Sequence, residues 1–130
     1  MEESIFTKII RGDIPCHKVY EDDSVIAFLD IHPITPGHTL VVPKQQIDSL
    51  WDLPDDLYHY LWEVAKKIEV SLQANLSPRR VGVIVEGSDV PHAHLHLVPL
   101  YKPHDLNSPQ DMTSEPDHVQ LAQIATKLAI

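Results

Sequence analysis

The sequence predicts an α+β domain: a mostly antiparallel sheet carrying one main helix and a C-terminal helix. Three observations lead there. Short β-type runs are joined by hairpin-length links. One long segment, Leu57 to Leu72, repeats its apolar residues with helical spacing. The run His92-Ala93-His94-Leu95-His96-Leu97-Val98 alternates polar and apolar positions, the period-two signature of an extended strand.

Each element follows in order. Ile5, Phe6, Ile9 and Ile10 are spaced for a helix and Gly12 stands where a C-cap belongs, so a short helix is expected over residues 4 to 11. Lys18 to Tyr20 and Val25 to Asp30 read as strands, with Glu21-Asp22-Asp23-Ser24 as their turn. His32-Pro33-Ile34-Thr35-Pro36-Gly37 must be a loop, because its prolines and glycine block regular structure. Thr39 to Val42 is an apolar strand closed by Pro43.

Pro54 after Asp52-Leu53 marks a helix start with proline in the first turn. Leu57, Tyr60, Leu61, Val64, Ala65, Ile68 and Leu72 form its core-facing stripe, and Ser77-Pro78 stops it. Val81 to Val85 is a strand, Glu86 to Pro91 a loop, and His92 to Pro99 the histidine strand. Residues 102 to 117 are polar and proline-bearing and read as irregular. Asp117 then caps a helix whose apolar residues are Val119, Leu121, Ala122, Ile124, Ala125 and Leu128.

A chain of 130 residues makes one domain, residues 1–130. Its net charge of -9 argues against broad binding to nucleic acid or an anionic membrane, while leaving a nucleotide in a local pocket open. The single cysteine, Cys16, forms no intrachain disulfide, and no leader or membrane-length apolar run is seen; a cytoplasmic location is expected. No Walker or Rossmann signature is present. Ser88 lacks a nucleophile-elbow context. Cys16 has only its sequence neighbour His17 to recommend it as a nucleophile.

On an extended strand His92, His94 and His96 share one face, while Ala93, Leu95 and Leu97 face the core. Imidazoles accept and donate protons, ligate metals and attack electrophiles. Two sharp readings result: a metal site, or a histidine nucleophile with histidine helpers. The other histidines, His17, His32, His59, His104 and His118, read as surface residues.

The run from His92 to Val98 resembles the histidine-triad (HIT) motif, His-x-His-x-His with two apolar residues after it. Ser4-Ile5-Phe6-Thr7-Lys8-Ile9-Ile10-Arg11-Gly12-Asp13-Ile14-Pro15 resembles that family's opening. Asp30-Ile31 followed by Pro36-Gly37-His38-Thr39-Leu40-Val41-Val42-Pro43-Lys44 resembles its second block. The blocks match in order over residues 4 to 101, closest to the HINT-like branch; residues 102–130 form an extension with no counterpart. The resemblance implies a HIT-like fold and a nucleotidyl hydrolase or transferase. It implies that His94 attacks the α-phosphate of a purine nucleotide conjugate and forms a nucleotidyl-histidine. His96 and His38 would assist at the phosphate, and His92 would orient His94. Ile5, Phe6, Ile9, Phe28, Asp30 and Ile31 would form the nucleoside pocket, Asp30 taking the ribose hydroxyls. No cofactor is implied.

Three departures bear on activity. Val85 stands where relatives usually carry Asn or Gln, and the loop before His92 is about four residues shorter in this alignment. Ser4 and Thr7 stand where some relatives have a zinc-binding cysteine pair, so that structural zinc is not expected. The leading reading is a phosphoramidate or adenylylated-amine hydrolase. The alternatives are a dinucleoside polyphosphate hydrolase, a catalytically weak nucleotide binder, or a zinc protein using His92, His94 and His96. A two-fold homodimer is implied by the resemblance. It is supported by Trp51, Leu57, Tyr58 and Trp62, which lie off or beside the main helix's core stripe.

Overall fold

The computed structural model describes residues 2–130. In chain order the elements are α1 (Ile5–Ile10), β1 (Lys18–Glu21), β2 (Val25–Leu29), β3 (Thr39–Pro43), α2 (Asp55–Leu76), β4 (Arg80–Ile84), β5 (Leu95–Leu100) and α3 (His118–Leu128). Two 3-10 turns, Leu50–Asp52 and Asp105–Asn107, were not foreseen from the sequence. The five strands form one sheet in the order β1-β2-β3-β5-β4, every pairing antiparallel. The expected α+β class holds.

The strand alternation sorts side chains into two cores. Val25, Ala27 and Leu29 of β2, Val41 of β3, and Leu95 and Leu97 of β5 pack against Leu61, Val64, Ile68 and Leu72 of α2. Leu121, Ile124, Ala125 and Leu128 of α3 join that same core. Ile26, Phe28, Leu40 and Val42 point the other way and meet Phe6 of α1. Strands β2 and β3 are therefore buried on both faces, which explains their unbroken apolar composition. Each buried aliphatic side chain contributes roughly 1.5–3 kcal/mol of burial free energy.

Caps define the helices. The Ser4 hydroxyl accepts from the Thr7 N–H to start α1. Pro54 is the residue before α2 rather than its first turn, and its carbonyl accepts from Tyr58 N. Ser77, left-handed at φ 50, ends α2. Asp117 caps α3, whose Val119 and Ala122 face outward instead of into the core. Buried Ser71 of α2 donates to the carbonyl of Leu128 at 2.7 Å, which ties the two helices together. Among the described residues, no helix is long and apolar enough to cross a membrane.

The histidine strand needs correction. It begins at Leu95, not His92. The N–H of Ala93 bonds to the carbonyl of Ile47 at 2.7 Å and that of His92 to Val90, so both leave the ladder. The alternation of faces survives nonetheless: Ala93 and Leu95 enter the α2 core, while His92 and His94 meet Phe6. Strand β4 starts one residue earlier than expected, at Arg80, and ends at Ile84, before Val85.

Candidate functional site

Central strands β3 and β5 pair Leu40 with His96, and β2 pairs Leu29 with Thr39. Asp30 and His38, just beyond the ends of β2 and β3, continue the pairing through Asp30 N–H to the His38 carbonyl at 2.9 Å. Register alone therefore gathers Asp30, His38 and His96. Gly37 sets the entry to His38. Its φ is +94, and a Cβ there would lie 2.6 Å from Leu76 Cδ1 and 3.1 Å from Pro99 Cγ. Only glycine fits both demands.

Backbone partners fix the proton on His38, His92 and His94, and His38 fixes it on His96. Ile34 N–H donates to His38 Nδ1 at 3.0 Å, so neutral His38 carries its proton on Nε2. That proton goes to His96 Nδ1 at 2.9 Å, which leaves the His96 proton on its own Nε2. Fully buried His92 donates from Nε2 to the Pro43 carbonyl at 2.7 Å and accepts at Nδ1 from the Ser4 hydroxyl at 2.7 Å. His94 donates from Nδ1 to the His92 carbonyl at 2.7 Å. Its Nε2 consequently carries a free lone pair. Phe6 stands edge-on to the His94 ring, with centroids 4.9 Å apart, and the His94 and His96 rings are equally close.

All four imidazoles are pushed toward the neutral form. Burial lowers His38 to about 4. Burial, then the neighbouring His94 and His38, lowers His96 to about 4. His92 and His94 are also lowered, again mainly by burial; for His94 the bond to the His92 carbonyl partly offsets it. Burial raises Asp30 against the pull of its hydrogen bonds. Its Oδ1 accepts from His32 N–H at 2.8 Å, and its Oδ2 lies 3.7 Å from His38 Nε2.

The residues expected at the nucleoside pocket divide in two. Phe6 and Phe28 are buried in the small core, with Ile9 packed against it; their rings meet edge-on. Ile5 and Ile31 stay exposed. On another side, His94 borders a cleft of 320 Å³ lined also by Asp48, Ser49, Trp51, Val85, Glu86 and Gly87.

The alternative of zinc on His92, His94 and His96 does not suit this geometry. Both ring nitrogens of His92 are engaged, and His94 Nδ1 is bound to backbone. The groups that do converge are Asp30, His38 and His96, whose ligand atoms lie within 4.8 Å of one another and could hold a divalent cation. Where cysteines are absent at positions 4 and 7, hydrogen bonds take over. Gln46 Oε1 accepts from Ser4 N–H at 2.9 Å and from the Thr7 hydroxyl at 2.6 Å.

Sequence reasoning missed Gln46, Gln110, the Pro43 carbonyl and the Ile34 N–H. Backbone groups leave no trace in residue type, and glutamines form no motif. It also took His17 and His32 for simple surface residues. His17 Nε2 lies 2.9 Å from His118 Nδ1, and His32 Nδ1 donates to the Asp111 carbonyl at 3.0 Å. His59 and His104 are exposed as expected.

A family model described as "HIT domain" matches residues 11–103. The chain is 41% identical over 109 residues to an uncharacterized HIT-like protein of Borreliella burgdorferi, covering 78% of each chain. A crystal structure of a Hit-like protein from Bartonella henselae superposes with a TM-score of 0.83 at 31% identity, over 97% of this chain and 94% of that one. A protein of Legionella pneumophila Philadelphia 1 described as a HIT family hydrolase matches at TM-score 0.64 and 34% identity, over 74% of this chain and 91% of that one.

Proposed function

The chain belongs to the HIT domain family, and on that premise we propose that it cleaves purine nucleotide conjugates at the α-phosphate through a nucleotidyl-histidine. The observation that carries this reading is the His94 ring. Its Nδ1 proton is committed to the His92 carbonyl, which directs the Nε2 lone pair outward as a nucleophile. Every other group on the face supports the same step. The His96 Nε2–H is a donor for a phosphate oxygen, held in that tautomer by His38. Ser4 and Pro43 lock His92, and His92 in turn positions His94.

In the first step His94 Nε2 bonds to phosphorus, the bond from phosphorus to the leaving nitrogen breaks, and the departing amine keeps the electron pair and takes a proton from solvent through the cleft beside His94. In the second step water attacks phosphorus and releases a proton to solvent, the bond to His94 breaks with the electron pair returning to Nε2, and nucleoside monophosphate leaves. Asp30 accepts the ribose hydroxyls, and Ile5 and Ile31 flank the base. The cleft beside His94 carries the carboxylates Asp48 and Glu86 and an exposed Trp51, a lining that suits an amine leaving group. Val85 is exposed in that cleft, so it offers the leaving group an apolar contact and no hydrogen bond.

The active form is proposed to be a two-fold dimer in the cytoplasm. Strand β4 is an outer strand of the sheet and leaves Val83 exposed, while Val70 projects from α2 and Trp51 from the turn before it. The indole N–H of half-buried Trp62 is buried without a partner.

Hydrolysis of an AMP amide of a fluorescent amine tests the reaction. His94→Ala should stay folded and lose several orders of magnitude in rate. A variant keeping more than a few per cent of the wild-type rate would assign the nucleophile elsewhere.

A further inference from the structure

Residues 108–117 run as irregular chain between the last 3-10 turn and α3, past the end of the match to the family model. This segment returns to the candidate site. Gln110 Nε2 donates to Asp30 Oδ2 at 3.1 Å and to the His32 carbonyl at 2.8 Å. The His32 ring bonds back to the Asp111 carbonyl. Asp111 knots the segment on itself: its carboxylate accepts from the N–H and hydroxyl of Thr113 and from the Ser114 hydroxyl. The result is a folded strap pinned to residues 30–32, not a loose tail.

The placement of Gln110 matters because Asp30 has two oxygens and one is taken. Oδ1 receives the His32 N–H. The strap covers Oδ2, the oxygen nearer His38. An amide N–H and an alcohol O–H are both neutral donors to a carboxylate. A ribose hydroxyl can therefore replace Gln110 on Asp30, at the cost of the one bond from Gln110 to the His32 carbonyl. Detachment is also cheap in packing, since Met112, the large apolar residue of the strap, is exposed.

We propose that residues 108–114 form a gate in which Gln110 occupies the place of a ribose hydroxyl on Asp30 and is exchanged for it when a nucleotide enters. The idea rests on the proposed role of Asp30 in holding ribose. The gate opposes only ligands that use Asp30, so it tunes affinity for ribonucleotides and ignores ligands without ribose hydroxyls.

Calorimetric titration with AMP and with 2′,3′-dideoxy-AMP tests it on the full chain. Gln110→Ala should bind AMP about three- to tenfold more tightly than wild type, because no closed state competes. Its affinity for the dideoxy analogue should not change. In NMR spectra the Gln110 side-chain amide signals, assigned by their loss in Gln110→Ala, should move when AMP is added. They should move the same way in Asp30→Ala without nucleotide. Equal or weaker AMP binding by Gln110→Ala, or amide signals that stay fixed, would overturn the gate alone. Failure of both proteins to bind AMP would overturn the nucleotide reading and the gate with it.

Discussion

At the scale of single residues, the site is a chain of tautomers set by backbone groups. Ile34 N–H, the Pro43 carbonyl and the His92 carbonyl each dictate where one ring keeps its proton. Keeping four imidazoles neutral inside the fold has a pH signature. In the unfolded chain a histidine titrates near 6.5, whereas His38 and His96 titrate near 4 in the fold. Between those values the unfolded chain binds protons that the native chain refuses, so stability falls as pH falls through that window. Below about 4 this loss stops growing; for His38 alone it amounts to about 3 kcal/mol. Asp30, raised by burial, works in the opposite direction at the acid end. Urea midpoints measured from pH 7 down to 4 should decline, and less steeply in His38→Asn. A flat profile in the wild type would contradict the buried, neutral cluster.

At the scale of elements, α3 acts as a clasp. Leu128 is fully buried, and its carbonyl takes the Ser71 hydroxyl. Leu128→Ala should cost about 2–5 kcal/mol in chemical denaturation, the range for emptying a core position. A loss below about 1 kcal/mol would mean that α3 packs loosely. The elements themselves were largely legible in the sequence, because periodicity reports burial directly. The stripe from Leu57 to Leu72 falls on the face that the larger core uses, and the unbroken apolar runs of β2 and β3 match strands buried on both faces. The start of β5 was not legible. His92 and His94 keep the period of a strand although the N–H groups of His92 and Ala93 bond elsewhere, and residue type does not record that. The triad and His38 were readable as motifs. Gln110 was not, since it meets Asp30 across 80 positions of sequence from a segment that carries no motif.

At the scale of the whole molecule, the sheet has two unlike borders. Near β1 the C-terminal end closes in, with Ile130 N–H bonded to the Val19 carbonyl. At β4 the outer ladder is open and Val83 is bare. A second copy meeting β4 against β4 would extend the sheet across a two-fold axis. Light scattering at micromolar concentration should give twice the 14.7 kDa of one chain. A single-chain mass that persists on concentrating would refute the dimer. The interior imposes a stricter rule, and Gly37 shows it. There the loop into His38, the last turn of α2 and β5 touch, at a left-handed backbone angle and with no room for a Cβ. In a library randomised at every glycine and selected for turnover, position 37 should return glycine almost alone. Position 87 has open space and an ordinary backbone, and should accept many replacements. Position 12 is open but left-handed, and should favour asparagine after glycine. The three positions look alike in the sequence, and mutational tolerance would separate them by geometry.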